Sequence, residues 1–316
     1  MNGEGKQKPM TAVLRTYHLG KTINGKELVS NLNMTIKRGE IYGFLGPNGA
    51  GKTTVMKMIA SILKPTEGEI ELFGKPLQSN TVELMKRMGS IIEYPIFYEK
   101  LTAMENLELH CECMGYYNKK AIGEALDMVG LVDVEFKPAK QFSLGMKQRL
   151  GIARAIVTKP ELLLLDEPIN GLDPVGIREM RNLFTMLSKE FGMTILISSH
   201  ILGEIEYIAD TVGVINQGRM VQEVSMGELR RTNHDYVEIT TGDVRRASLV
   251  LSDRLNVTNM KVVGDHAIRI YDPNVSQSEL NRLLALSDVP VESIVRKQHS
   301  LEDYFIKLLN GGGVRA

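Results

Sequence analysis

Eight consecutive residues, Gly46-Pro47-Asn48-Gly49-Ala50-Gly51-Lys52-Thr53, set out a cradle for phosphate. They complete the pattern G-x-x-x-x-G-K-[ST], between an apolar stretch at Ile41–Leu45 and helical spacing that starts at Lys52. Glycines let backbone N–H groups converge on phosphate oxygens with no Cβ in the way. The helix that follows turns its positive end toward the same oxygens. Lys52 is placed to reach the β- and γ-phosphates, the Thr53 hydroxyl to ligate Mg²⁺, and Thr54 to continue the cradle into the helix. A chance glycine-rich turn does not account for a full match with the right flanks. By itself the cradle specifies a P-loop nucleotide binder and nothing narrower.

A second chemical element follows the apolar run Leu162–Leu165, where Asp166-Glu167-Pro168 begins. Acids at the end of a buried strand lie at the carboxyl edge of the sheet, where α/β proteins bind ligands. Asp166 suits a place near Mg²⁺, and Glu167 suits polarising an attacking water, because phosphoryl transfer is catalysed mainly by positioning and charge stabilisation. Alone, the pair reads equally well as solubilising acids; beside the cradle it reads as chemistry. Asn170-Gly171-Leu172-Asp173-Pro174 then makes a turn with a further acid. His200 follows the next apolar run, Thr194–Ser198, where a γ-phosphate sensor belongs. Ser143, in Phe142-Ser143-Leu144-Gly145-Met146, is a good N-cap for a helix reaching about Val157, and such a helix end can also meet an anion.

Elements must hold these groups. Residues 11–45 alternate like strands, with turns at Asn24-Gly25 and before Gly39. Helical spacing runs from Lys52 to about Leu63, through most of 101–132, and over about 175–190. Buried strands at 41–45, 162–165 and 194–198 alternate with helices, which implies a mostly parallel sheet flanked by helices. The helix-rich stretch 94–150 reads as a separate lobe. Composition changes near Ser225. Beyond it come a strand at 236–240, a helix at 246–255, strands at 258–263 and 266–271, a helix at 276–287, a strand at 290–296 and a helix at 301–310. That order is a split βαβ arrangement. The expected organisation is a tail at 1–10, a nucleotide-binding domain at 11–224 and an accessory α+β domain at 225–316.

The 316 residues are enough for about two domains, and 38 basic side chains balance 38 acidic ones. Zero net charge argues against nucleic acid as the main partner. Cys111 and Cys113 stand two apart in a helical segment and do not share a face, so they read as two ordinary reduced thiols. No apolar run approaches the ~18 residues of a spanning helix, and Met1–Met10 is too polar for a secretory leader. The expectation is a soluble chain facing the cytoplasm, with any membrane role exercised through a partner.

With its cradle, Ser143-Leu144-Gly145 stretch, acidic strand, turn and histidine in this order, the sequence resembles the ATP-binding cassette family over residues 11–224. The usual signature LSGGQ stands here as Phe142-Ser143-Leu144-Gly145-Met146, so Ser143 and Gly145 are kept. SLGMKQRLGIARA, Ser199-His200-Ile201-Leu202 and Ser300-Leu301-Glu302-Asp303-Tyr304-Phe305 are similar to the bacitracin-type subgroup, which serves export of and self-protection from bacitracin and lantibiotics. The resemblance implies a P-loop (RecA-like) fold with a helical subdomain, ATP and Mg²⁺ as cofactors, and ATP hydrolysis that drives integral membrane permease subunits. It also implies a head-to-tail homodimer in which each ATP lies between one cradle and the partner's Ser143, Gly145 and Met146. Asp173 would communicate across that dimer, and the chain would sit at the cytoplasmic face of the cell membrane.

Two positions depart from the family. The glutamine that normally joins core and helical lobe is replaced by Glu93, which the resemblance makes a metal or water ligand. The aromatic residue that stacks on adenine falls on Ile23, with Tyr17 in an early strand as the other option; apolar contact without stacking forfeits ~1 kcal/mol. Tyr94, Phe97 and Tyr98 form an aromatic cluster on the turn after Glu93. They read as buried packing or, through the resemblance, as the groove that receives a permease helix. Competing classes are a non-transport cassette ATPase of DNA repair or translation and a regulatory module without hydrolysis. The first lacks its long coiled coil or second cassette, and the second conflicts with the presence of Lys52, Asp166, Glu167 and His200.

Overall fold

The computed structural model describes residues 12–232, 236–255, 257, 259–272 and 275–297. Among these the chain forms two compact units, 12–226 and 227–297. The expected tail at 1–10, the helix at 301–310 and the Ser300–Phe305 stretch lie outside the described residues.

The first unit opens with two long antiparallel strands, β1 (Ala12–Ile23) and β2 (Lys26–Lys37), followed by β3 (Ile41–Leu45) and α1 (Lys52–Ile59). Next come β4 (Glu67–Leu72), β5 (Lys75–Pro76), α2 (Thr81–Lys86) and β6 (Met88–Ile91). A helical lobe follows, with α3 (Ala103–Met114), α4 (Lys119–Met128) and α5 (Leu144–Ile156). Then come β7 (Leu162–Asp166), α6 (Pro174–Lys189), β8 (Thr194–Ser199), α7 (Leu202–Ile205), β9 (Thr211–Asn216) and β10 (Arg219–Ser225). One sheet runs in the order β10-β9-β3-β8-β7-β6, parallel except for the β9–β10 pair. A second, antiparallel sheet runs β2-β1-β4-β5.

The physical reasons are local. Every residue of β3, β7 and β8 is buried, which is why these strands read as continuous apolar runs: both faces of a parallel sheet are covered. Tyr42, Phe44, Val55, Met56, Leu162, Leu164 and Leu196 share one core with the β1–β2 layer. α3 starts on a capping box, Thr102 with Glu105, and stops at Gly115 with φ 65°. α4 and α5 start on Asn118 and Ser143, whose side chains accept the backbone N–H of Ala121 and Met146. Each cap satisfies a donor that the first turn leaves without a partner.

One helix is shorter than its spacing suggests, and the mostly helical 101–132 segment is divided. α1 ends at Ile59 instead of near Leu63, because Ser61 takes a left-handed φ of 58°. The 101–132 segment is two helices, since Gly115 at φ 65° breaks it before Asn118 caps the next.

The second unit begins within α8 (Met226–Thr232). It continues with β11 (Tyr236–Thr241), α9 (Val244–Leu255), β12 (Met260–Val263), β13 (Ala267–Ile270), α10 (Gln277–Leu286) and β14 (Val291–Lys297). Its strand order β12-β13-β11-β14 is antiparallel throughout, the arrangement that a βαββαβ chain produces when its two helices cover one face. Val237, Ile239, Ile268 and Ile270 meet Ala247, Leu251, Leu280 and Leu284 in its own core.

Candidate nucleotide site

The site stands at the carboxyl ends of β3, β8 and β7, three neighbouring strands. β3 delivers the chain directly into the Gly46–Thr53 cradle. Gly46 must be glycine here: a Cβ would lie 2.3 Å from the Ile215 carbonyl oxygen of β9. Gly49 and Gly51 take φ of 80° and 106°, a region that other L-residues enter only with strain.

Lys52 is buried at 6% exposure. Its Nζ donates to the Gly46 carbonyl at 2.7 Å and the Pro47 carbonyl at 3.3 Å, and lies 3.3 Å from Glu167 Oε1. The ammonium therefore spans the mouth of the cradle and faces the acid beyond it. The Thr53 hydroxyl donates to Asp166 Oδ2 at 2.8 Å. Asp166 is almost fully buried, and its other oxygen accepts from Ser198 Oγ at 2.6 Å.

Glu167 takes φ 49°, a left-handed turn that swings its side chain off the axis of β7. Strain of this kind clusters where geometry serves function. The Glu167 backbone N–H donates to Ser198 Oγ at 2.9 Å, so one hydroxyl on β8 steadies both acids. Glu167 Oε2 lies 2.8 Å from His200 Nδ1. The carboxylate is thus held between Lys52 and His200, aimed at the space over the cradle. That space is a cleft of about 660 Å³ lined by Asn48–Thr54, Lys26, Leu28, Glu167, Asn170 and His200, a volume within the range of small-molecule sites.

The structure therefore brings together the cradle, Asp166, Glu167 and His200. Two expected residues stand apart from this cluster. Ile23 does not line the cleft; Leu28 and Lys26, further along β2, do. Ile23 stands directly opposite Lys26 across the Asn24-Gly25 turn, so counting along the chain from Gly39 ends on β1, one strand over from the wall on β2. Glu93 does not face Thr53 or Asp166 either. It takes φ 62°, and its carboxylate pairs with Lys57 Nζ at 2.6 Å. Lys57 sits one helical turn beyond Thr53 on the same face of α1 and captures the acid.

Other candidates stand outside the cleft. Ser143 caps α5, with Gly145 and Met146 in its first turn, and Leu144 beside them is 49% exposed. Asp173 caps α6, accepting the Gly176 N–H at 2.7 Å. Tyr94 and Tyr98 are exposed rather than packed, while Phe97 lies under the Arg154 guanidinium at 4.9 Å. The sequence reading misses Ser198, Lys26 and Leu28. Ser198 is the β8 residue in register with Asp166, so only the strand pairing exposes its role.

The ABC transporter family profile matches residues 29–170. The chain is 59% identical to the uncharacterized ABC transporter ATP-binding protein YcbN of Bacillus subtilis, over 97% of this chain and all of that one. It is 45% identical to the bacitracin transport ATP-binding protein BcrA of Bacillus licheniformis, over 96% of this chain and all of that one. It is 42% identical to the lantibiotic transport ATP-binding protein SrtF of Streptococcus pyogenes, over 67% of this chain and 90% of that one. Among solved structures, a dimeric ATP-binding cassette in a post-hydrolysis state with ADP and Pi superposes with a TM-score of 0.62 at 26% identity, covering 67% of this chain and 98% of that one. The cbiO1 subunit from Clostridium perfringens, part of the ABC transporter complex cbiONQ, superposes with a TM-score of 0.63 at 26% identity, covering 78% of this chain and 97% of that one. Cradle, acids and histidine at three adjacent strand ends, joined to these likenesses, place the chain in the ABC transporter family as an ATP-binding, ATP-hydrolysing subunit.

Proposed function

We propose that two copies of this chain, paired head to tail, bind two Mg·ATP and drive membrane permease subunits that export a bacitracin-like peptide. In this reading the chain works at the cytoplasmic face of the membrane. The observation behind the chemistry is the Lys52–Glu167–His200 chain of contacts over the cradle. The donors at the metal position are oxygens only, the Thr53 hydroxyl and the Asp166 carboxylate, the type that Mg²⁺ prefers. When bound, Mg²⁺ would neutralise charge on the β- and γ-phosphates. Lys52 exchanges the Gly46 and Pro47 carbonyls for phosphate oxygens, the cradle N–H groups hold the phosphates, and Glu167 orients the attacking water. His200, tied to Glu167, contacts the γ-phosphate. Ser143 and Gly145 of each copy close the other's cleft, so binding favours the closed pair and hydrolysis releases it.

The length of each match bears on the cargo class. The relative named for bacitracin matches 96% of this chain, and the one named for a lantibiotic 67%. The first match therefore takes in most of the second unit. The exposed Tyr94 and Tyr98, with Phe97 beside them, suit a permease helix docking next to the helical lobe. The test is drug susceptibility of the native host carrying wild-type or Glu167→Gln chain, across bacitracin, lantibiotics and unrelated compounds. Selective sensitisation to bacitracin supports the reading. Unchanged susceptibility throughout removes the cargo and leaves the ATPase.

A further inference from the structure

The turn that presents His200 is held from behind by groups that the chemistry above does not use. Ser199 Oγ meets three polar atoms: Ile201 N–H at 2.9 Å, Ile201 O at 3.2 Å, and Oε2 of Glu204. A hydroxyl has one proton to give and two lone pairs with which to accept. If Glu204 is ionised, its oxygen and the Ile201 carbonyl compete for that single proton. If Glu204 carries the proton, every need is met: Glu204 donates to Ser199, Ser199 donates to Ile201 O, and Ile201 N–H donates to Ser199.

The surroundings agree with this hydrogen count. Glu204 is 7% exposed and Ser199 fully buried. Burial pushes the Glu204 carboxyl up; the Ser199 hydrogen bond opposes this, Glu167 reinforces it, and His200 and Arg181 oppose it. Among the described residues these are the charged groups that act on it. Arg181 of α6 donates to the backbone carbonyls of Glu204, at 3.0 Å, and Gly203, and its guanidinium lies over the Tyr207 ring. It holds the backbone of α7 and leaves the Glu204 carboxyl to Ser199.

We propose that Glu204 is a positioning residue for ATP hydrolysis: its carboxyl, donating to Ser199 Oγ, fixes the Ser199–Ile201 turn and so sets where His200 meets Glu167 and the γ-phosphate. Ionisation of Glu204 removes a donor from Ser199, loosens the turn and adds a second negative charge behind Glu167. This rests on the assignment of Glu167 and His200 to the chemistry.

The test measures steady-state ATP hydrolysis by the full chain from pH 6 to 9 for wild type, Glu204→Gln, Glu204→Ala, Ser199→Ala and Glu167→Gln, with melting curves for each. Glutamine donates to Ser199 as the protonated acid does but cannot ionise. Alanine at 204 or 199 is expected to lower kcat about 10- to 100-fold, the cost of misplacing a reacting group by about an ångström, with KM for ATP little changed. Glu204→Gln is expected to restore most of the loss, and its kcat relative to wild type to rise with pH. Equal loss in Gln and Ala at 204, or a Gln to wild-type ratio independent of pH, overturns the proposal. So does unimpaired kcat in Ser199→Ala, a substitution that leaves little cavity and so guards against misfolding at 204. If Glu167→Gln itself hydrolyses at the wild-type rate, the underlying site assignment fails, and that outcome is distinguishable from loss of Glu204's role alone.

Discussion

Replacing Asp166 with asparagine separates the structural work of this buried acid from its chemical work. In the fold its oxygens accept from Thr53 and Ser198 at 2.8 and 2.6 Å. Hydrogen bonds to a charged group contribute about 1.5–3 kcal/mol, and neutral ones about 0.5–1.5. Asparagine keeps one oxygen acceptor, and its NH₂ can donate to whichever hydroxyl reorients, so each bond weakens by about 1 kcal/mol. Against that combined loss of about 2 kcal/mol, the substitution removes a negative charge that is only 3% exposed, and its desolvation cost with it. The net destabilisation is about 0–2 kcal/mol, a fall in melting midpoint of at most about 8 °C for a unit of this size. Activity should respond far more strongly. If Asp166 holds Mg²⁺ as proposed, loss of its charge should lower kcat about 10²- to 10³-fold and raise the Mg²⁺ needed for half-maximal rate. Circular-dichroism melts without nucleotide and phosphate release under Mg²⁺ titration measure the two effects separately. A wild-type kcat would remove Asp166 from the chemistry. A loss of more than about 4 kcal/mol would make the acid a structural keystone instead.

Glu93→Gln should leave the melting midpoint nearly unchanged, since its ion pair with Lys57 is 31% and 59% exposed and such pairs contribute about 0–1 kcal/mol. Its Mg²⁺ requirement should shift less than about threefold, because Glu93 faces Lys57 rather than Thr53; a larger shift would return Glu93 to the metal's surroundings. Gly46→Ala should cost about 1–3 kcal/mol, as its Cβ would press on Ile215 O from 2.3 Å, and should abolish binding of a fluorescent ATP analogue. With Leu28 and Lys26 lining the cleft and no Phe, Tyr or Trp among its described lining residues, GTP should compete with ATP within about fivefold, a difference of about 1 kcal/mol. Strong adenine preference in a competition titration would show that another group reads the base.

Much of this architecture is legible in the chain, for reasons that can be named. Four successive leucines at 162–165 and the run 194–198 announce strands covered on both faces, and the cradle declares its own turn and helix. β4 is harder. Its sequence Glu67-Gly68-Glu69-Ile70-Glu71-Leu72 buries only Ile70 and Leu72, and Gly68 takes φ 78°, so its pattern resembles a turn. α8 escapes for a different reason, lying where composition changes and spanning the boundary between units. At the site, Lys52, Thr53, Asp166, Glu167 and His200 are readable because each type has a chemical errand at a strand end. Ser198 is not, because a serine in an apolar strand has no meaning until its register with Asp166 is known. The wall at Leu28 is hidden because it lies on β2, across the hairpin from the position that spacing selects, and Glu93's capture by Lys57 needs the helix face that carries Lys57.

The groups proposed to handle phosphate issue from β3, β8 and β7, consecutive rungs of one hydrogen-bonded lattice. Neighbouring strands stand about 4.8 Å apart, so the width of the workplace is a property of peptide geometry, fixed before any side chain is chosen. Drift in the loops can retune what each rung carries, but it cannot move the rungs. A chain of this design can therefore change its metal preference or base preference one residue at a time while the span from cradle to acid stays constant. Loss of that span would require the loss of a whole strand.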